Sequence, residues 1–446
     1  MPSIRRAGKL ATKPHETPHV RTRFLTLEHN TRMVQAARIS RYARMRTGLE
    51  RYCNDLPRDV AVLTLVAFCV ALGFGILAPV IPIFARSFGV SAFAASAVVS
   101  AFALMRLLSV TPGGWLLNRV GERTMLWVGL SIVALSSALA GFSGSYLQLL
   151  LLRGLGGTGS AMFSVSSLSL LLRTVDPAHR GRASSTYQSG FLFGGLAGPA
   201  VGGLVVSWSI RAPFFVYAAM LILASLTAFF ALPRHSEPSG PHSAQQAGSP
   251  TSQLSLRQAL ALRAYWTILV TNLASRLTLF GLRASLLPLF VLEALQKSTA
   301  TASIGFLLSS LSQAGLLLPA GRLMDIHGRK PALLLGTCAL TVAMLCLLLY
   351  ATLSGYYAAM LVMGVSAAFL GAGPAAVVGD IVGRRRGGPV VATFQMTSDL
   401  GMVAGPLLVG WLKDVTGGFT VPFLLCLFVA LGAVSMSCSM QETKDR

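Results

Sequence analysis

Apolar stretches long enough to cross a bilayer recur along this chain from Val60 onward, separated by short polar connections. They predict about twelve membrane-crossing helices, over residues 60–84, 91–117, 124–142, 146–172, 184–207 and 212–232, then 265–290, 299–320, 331–352, 356–382, 388–412 and 420–440. Three stretches break the pattern. Residues 1–57 are polar, rich in arginine and poor in acids; residues 233–263 are rich in Ser, Pro, Gly and Gln; residues 441–446 form a short polar end. The first reads as a basic cytosolic tail, with an interfacial helix over Thr31–Arg51 or an upstream start codon (Met33 and Met45 being later candidates) as alternatives. The second reads as a flexible linker between a bundle over 58–232 and a bundle over 264–440.

The two bundles repeat each other. Gly194, Gly198, Pro199 and Gly203 of GGLAGPAVGG, which also holds Gly202, recur 207 residues later as Gly401, Gly405, Pro406 and Gly410. At the same offset GWLLNRVGER (Gly114–Arg123) is echoed by GRLMDIHGRK (Gly321–Lys330), Gly157 by Gly364 and Gln188 by Gln395. Chance would not hold one offset at four separate places, so the chain is a tandem duplication whose halves run parallel about an axis along the membrane normal. Glycines four apart let helix backbones approach closely, and a proline inside a helix frees a carbonyl and bends it.

Composition agrees: the chain is 53% hydrophobic and 12% charged, a balance foreign to soluble domains. Its net charge of +22 would suggest nucleic acid in a soluble protein. Here the cations collect in every second connection, at Arg119 and Arg123, Arg173, Arg180 and Arg182, Arg234, Arg257 and Arg263, Arg329 and Lys330, and Arg384–Arg386. The other connections hold only Arg86, Arg211, Lys297 and Lys413. Topology thus explains the charge, places both termini in the cytoplasm and removes nucleic acid as a partner. The six cysteines have no paired spacing and read as small buried residues rather than disulfides or metal ligands.

These residues resemble the major facilitator superfamily, and its twelve-span drug:proton antiporter branch in particular, over about residues 58–440. Gly194, Gly198, Pro199, Gly202 and Gly203 match the branch's fifth-helix motif GxxxGPxxGG. Gly321, Leu323, Asp325, Gly328, Arg329 and Lys330 match the superfamily loop motif, with Ile326 in place of a basic residue. In the first half Gly114, Leu116, Arg119, Gly121 and Arg123 match, while Asn118 stands where the family has aspartate and Glu122 where it has a base. The resemblance implies an all-α polytopic fold of two pseudo-symmetric six-helix bundles, a cytoplasmic gate at this loop, and a weaker lock where asparagine replaces the charge. Arg153 and Gly157 resemble the fourth-helix arginine and glycine of the antiporters. The first helix carries no carboxylate within it, unlike several proton-coupled relatives.

A charged side chain at mid-span costs about 2.5 to 3.5 kcal/mol on insertion scales, so each one needs a reason. Five stand out: Arg106, Arg153, Arg276, Arg283 and Asp399. Asn272, Arg276 and Arg283, spaced by four and seven residues, are predicted to share one helical face and line a central cavity, together with Gln188 and Gln395. Asp399 is the one carboxylate placed near a span's middle. It is the candidate proton carrier, with Arg106 its first expected partner and Arg153 its second; the alternative is a permanent ion pair that fixes helix register. Arg283 has the further alternative of snorkelling to headgroups.

Other apparent motifs lead nowhere. Gly154, Gly156 and Gly159 spell GxGxxG inside an apolar helix with no strand before it, and His15 and His19 lie in the polar tail. No Walker sequence, zinc signature or nucleophile with a base is present. The expected protein is a non-enzymatic secondary transporter of the inner or plasma membrane, driven by a proton gradient without a cofactor or metal, acting as a monomer in the bilayer on a small molecule. Efflux of amphipathic compounds is the first reading. Transport of an organic anion through an arginine-lined cavity is the rival, and a membrane enzyme or non-transporting receptor the more distant one.

Overall fold

The computed structural model describes residues 57–175, 180–232, 255–382 and 388–443. Residues 1–56 of the expected tail over 1–57 and most of the linker lie outside this set, as do Arg234 and Arg384–Arg386. The described residues hold twelve long helices and no strand: α1 (Arg58–Leu77), α2 (Ala92–Val120), α3 (Glu122–Gly141), α4 (Tyr146–Thr174), α5 (Arg180–Trp208), α6 (Ala212–Ala231), α7 (Arg263–Ala294), α8 (Thr299–Ile326), α9 (Arg329–Leu349), α10 (Leu353–Val382), α11 (Gly388–Thr416) and α12 (Thr420–Ser439). Ten are long and apolar enough to cross a membrane. The other two, α4 and α11, match them in length but are diluted by Gly, Ser and the charges Arg153 and Asp399.

Packing repeats across the duplication. α1 packs on α5 and α6 as α7 packs on α11 and α12; α2 and α3 pack on α4 as α8 and α9 pack on α10; α3 packs on α6 as α9 packs on α12. The principal contacts between the halves run from α2 to α11 and from α5 to α8. The offset of 207 also relates helix caps, helix prolines and turn glycines. Ser91 and Ser298 cap α2 and α8 with side chains that accept from Ala94 N–H and Thr301 N–H, while Pro112 and Pro319 lie within those helices. Gly121 and Gly328, at φ +80° and +102°, make the sharp turns into α3 and α9, a conformation that favours a residue without Cβ. Large side chains such as Phe230 and Leu318, each 76% exposed, cover the outer faces, as suits lipid contact.

Three local departures from the expected spans have clear causes. The first span is not continuous: α1 stops at Leu77, a turn follows at Ala78–Val80, and a short helix resumes over Ile81–Arg86. Pro79 restrains Ala78 from the helical region and Pro82 suits the first turn of the new helix. The end of the expected linker is ordered, because Ser255 and Gln258 form a reciprocal capping box that starts a helix over Leu256–Leu260. Most consequentially, α7 changes winding after Arg276. Residues Leu277–Leu286 and Phe290–Ala294 follow the wider π pattern.

Candidate functional site

The glycines of the repeated motif set the distances between helices. On α5, Gly194 lies against Phe68 and Leu72 of α1, Gly198 against Gly75 and Leu72, and Gly202 against Ile76. A Cβ at Gly198 would sit 2.7 Å from both the Gly75 Cα and the Leu72 carbonyl oxygen. On α11, Gly401 packs on Leu273 and the Arg276 stem, and Gly405 packs on Leu277 and Gly281 of α7. The last glycines of the motif look across to the other half. Gly203 faces Ser303 on α8 and Gly410 faces Ser96 on α2, a pair of contacts that obeys the 207-residue offset on both sides. Pro199 and Pro406 lie inside these two helices at equivalent places.

Between the halves lies a cavity of about 190 Å³, lined by Phe74 and Ala78, Phe102 and Arg106, Arg153 and Phe163, Phe191, Tyr217, Phe280 and Met402, among others. A smaller space of about 70 Å³ adjoins it, sharing Phe74, Ala78, Phe280 and Ala284 and reaching Gly195, Pro199, Arg283 and Phe306. Arg153 is 2% exposed, stacks 4.6 Å from the Phe102 ring centre and lies beside the buried Tyr217. Its Nε and Nη1 have no hydrogen-bond partner.

Asp399 is half-buried on α11, within electrostatic range of Arg106 on α2 and Arg276 on α7. Gly401, two residues on, gives the Arg276 stem room to pack against α11. No ion pair closes between Asp399 and either arginine among the described residues. Arg153, the second expected partner, is placed instead beside Phe102 and Tyr217.

The shared face expected for Asn272, Arg276 and Arg283 forms only in part: Asn272 and Arg276 both face α11, and Arg283 leaves them. Asn272 is 3% exposed and its Nδ2 donates to the Phe394 carbonyl at 3.1 Å, a helix-packing bond rather than a cavity wall. Arg276 lies within electrostatic range of Asp399, which attracts it, and of Arg106, which repels it, whereas Arg283 turns to α8 and α10, where its Nη1 donates to Ser309 Oγ at 3.0 Å beside Phe306 and Tyr356. The physical reason is the π winding: hydrogen bonds from i to i+5 put more residues in each turn, so a seven-residue spacing no longer returns to the same face. Gln188 and Gln395 are exposed and stand outside the walls of the two cavities.

The loop motif builds different networks in the two halves. The side chain of Asn118 lies outside the described set, and Arg119 stacks 3.8 Å from the Trp115 ring centre. Glu122, 2% exposed, accepts from Arg173 at 2.8 and 3.0 Å and from Ser169 at 3.1 Å, and Arg123 donates to the Phe229 carbonyl. In the second half Arg329 joins Asp325 at 3.2 Å and Asp380 at 3.0 Å. Glu442 accepts from the Arg329 and Lys330 backbone N–H groups at 2.7 and 3.0 Å, capping α9. Gly114 and Gly321 have open space where a Cβ would stand.

Among the described residues, cross-half hydrogen bonds and ion pairs gather at the opposite end. Arg86 Nε meets Glu293 Oε1 at 2.7 Å, and Asp414 on α11 accepts from Ala92 N–H and Phe93 N–H at the start of α2 at 2.9 and 2.7 Å. Ser285 donates to Ser96 at 2.6 Å and Ser100 to the Val403 carbonyl at 2.7 Å. Lys413 reaches the second Glu293 oxygen at 2.7 Å within its own half. None of Glu293, Asp380, Asp414, Glu442 or Tyr217 stood out in the sequence. The first carried a usable signal, since it lies 207 residues after Arg86.

Two repeated six-helix sets around a central cavity, bonded together at one end, define a polytopic membrane transporter. The chain belongs to the Major Facilitator Superfamily, whose family model matches residues 63–294 and 268–440. Among curated relatives it is 26% identical over 400 residues to the quinolone resistance protein NorA of Staphylococcus aureus (strain Mu50), covering 85% of this chain and 95% of that one. It is 27% identical over 342 residues to the synaptic vesicular amine transporter of Mus musculus, covering 73% and 64%. A solved bacterial homolog of the human lysosomal transporter Spinster, described as inward-facing and unoccupied, shares the fold with a TM-score of 0.66 at 16% identity, covering 85% of this chain and 95% of that one.

Proposed function

We propose that this transporter exports amphipathic small molecules in exchange for protons, by alternating access. The observation that carries the reading is the asymmetry of its ends among the described residues: the cross-half bonds at Arg86–Glu293, Ala92–Asp414 and Ser96–Ser285 all lie at one end, away from the Gly121 and Gly328 turns. Two rigid halves joined at one end are one state of a rocking pair. With the arginine-rich connections on the cytoplasmic side, both termini face the cytoplasm and the cavity communicates with it. Residues 58–232 and 264–440 are the rocking halves, and one chain is the working unit in the cell membrane. The loop motifs at Gly114–Arg123 and Gly321–Lys330 form the cytoplasmic gate.

Export is supported by the fit of Gly194–Gly203 to the antiporter motif and by similarity to a relative named for quinolone resistance. In this reading Asp399 carries the proton, and the charges of Arg106 and Arg276 respond to its state as the halves rock. The chain supplies no cofactor chemistry; the proton gradient is the energy source. The test is accumulation of a dye panel in everted vesicles. Accumulation that follows an imposed proton gradient and vanishes with a protonophore is expected; transport indifferent to the gradient would overturn the coupling.

A further inference from the structure

Arg153 is the more deeply buried of two arginines, with Arg106, in a cavity whose walls are otherwise mostly apolar and aromatic. Its guanidinium is buried with two nitrogens unpartnered, and among the described residues the cavity lining contains no carboxylate to neutralise it. Arg283 repeats the arrangement in the adjoining space: Nε is buried without a partner, the guanidinium lies 5.5 Å from the Phe306 ring centre, and Tyr356 stands nearby. The two spaces share wall residues at Phe74, Ala78, Phe280 and Ala284. A buried cation without a counter-charge is costly, and stacking on an aromatic ring offsets only part of that cost.

We propose that these two arginines form an organic-anion site, which takes amphipathic aromatic acids with the ring against Phe74 and Phe280 and the acidic group on Arg153 or Arg283. This rests on the transporter reading, because the ligand would occupy the same central space, and it narrows the substrate class within it. Three features fit. The free guanidinium nitrogens are donors suited to carboxylate or sulfonate. The ring-lined walls favour an aromatic body over a small inorganic ion. Asp399 is absent from the described lining of either space, and its electrostatic neighbours are Arg106 and Arg276 rather than Arg153.

Three naphthalene probes that share a ring separate charge from shape: 2-naphthoate, its methyl ester and 2-naphthylmethylammonium. Binding to the purified full chain in detergent is read as ligand-dependent thermal stabilisation, and transport as accumulation in everted vesicles. The naphthoate should bind at least about tenfold more tightly than either other probe. R153Q and R283Q should each reduce that preference, and R153K should retain part of it. Equal or tighter binding of the ammonium probe, or equal stabilisation by inorganic phosphate, overturns the proposal, and so does a failure of all three probes to bind. These arms also distinguish the two readings. Export of a cationic dye with no binding of naphthoate removes the anion site and leaves the transporter, whereas naphthoate binding without transport of any probe does the reverse.

Discussion

Arg86 and Glu293 occupy equivalent positions in the two halves, 207 residues apart, and meet each other across the interface at 2.7 Å. A duplication places such residues on either side of its symmetry axis. Divergence then made one a cation and the other an acid, so that a site of self-repetition became a clasp. Lys413 adds a second cation to the same carboxylate.

Removing that carboxylate should loosen the bonded end. Both partners are partly solvated, so E293Q is expected to shift the balance between states by only about 1 kcal/mol, roughly fivefold in population. Spin labels placed near Phe88 and Leu295 would show a longer distance distribution in the variant, and an unchanged one would remove the clasp from the mechanism.

The α1–α5 interface makes a sharper prediction. G198A drives a methyl to 2.7 Å from the α1 backbone, which cannot give way as a side chain would, and should destabilise the protein by about 1–3 kcal/mol. G195A, three residues earlier and facing open space, is the matched control and should leave thermal unfolding in detergent unaltered. If the two variants melted alike, close backbone approach would not be what these glycines provide.

D399N tests the coupling residue. Proton-driven accumulation should fall to the level of vesicles lacking the protein, while substrate counterflow, which needs only rocking, persists. Retention of gradient-driven transport would assign Asp399 to a purely structural role.

The Glu122–Arg173 pair addresses a place where this chain departs from the superfamily motif. The carboxylate is buried and the guanidinium is 39% exposed, so E122Q should cost about 1–2 kcal/mol, less than a wholly buried pair would. A double-mutant cycle with R173Q measures the coupling directly, and additive losses would mean that the pair is not energetically joined.

The unevenness of what could be read beforehand follows from the range of each interaction. Hydropathy located the helices because burial in lipid acts on each span by itself, and the offset of 207 exposed the two halves because duplication leaves its mark in residue order. The glycine ladder on α5 was legible for the same reason: its spacing is a property of one helix. Arg283 departs from the face that Asn272 and Arg276 share because the helix winds as π over Leu277–Leu286, and nothing in that apolar run announces the change. Glu293, Asp414 and Tyr217 passed unnoticed because an acid at a span's end, or a tyrosine among phenylalanines, takes its meaning from what faces it.

The amino-acid order alone thus determined a twelve-helix membrane protein in two related halves, with close-packed motif helices and a short roster of intramembrane charges, since solvation and periodicity are local. Only the tertiary structure decided how those charges group beyond the expected nearness of Arg106 and Asp399: Arg276 joins those two, Arg153 stacks on Phe102, and Arg283 donates to Ser309. Such groupings join residues on different helices, and helix rotation and winding, which set them, are fixed by packing across the whole bundle.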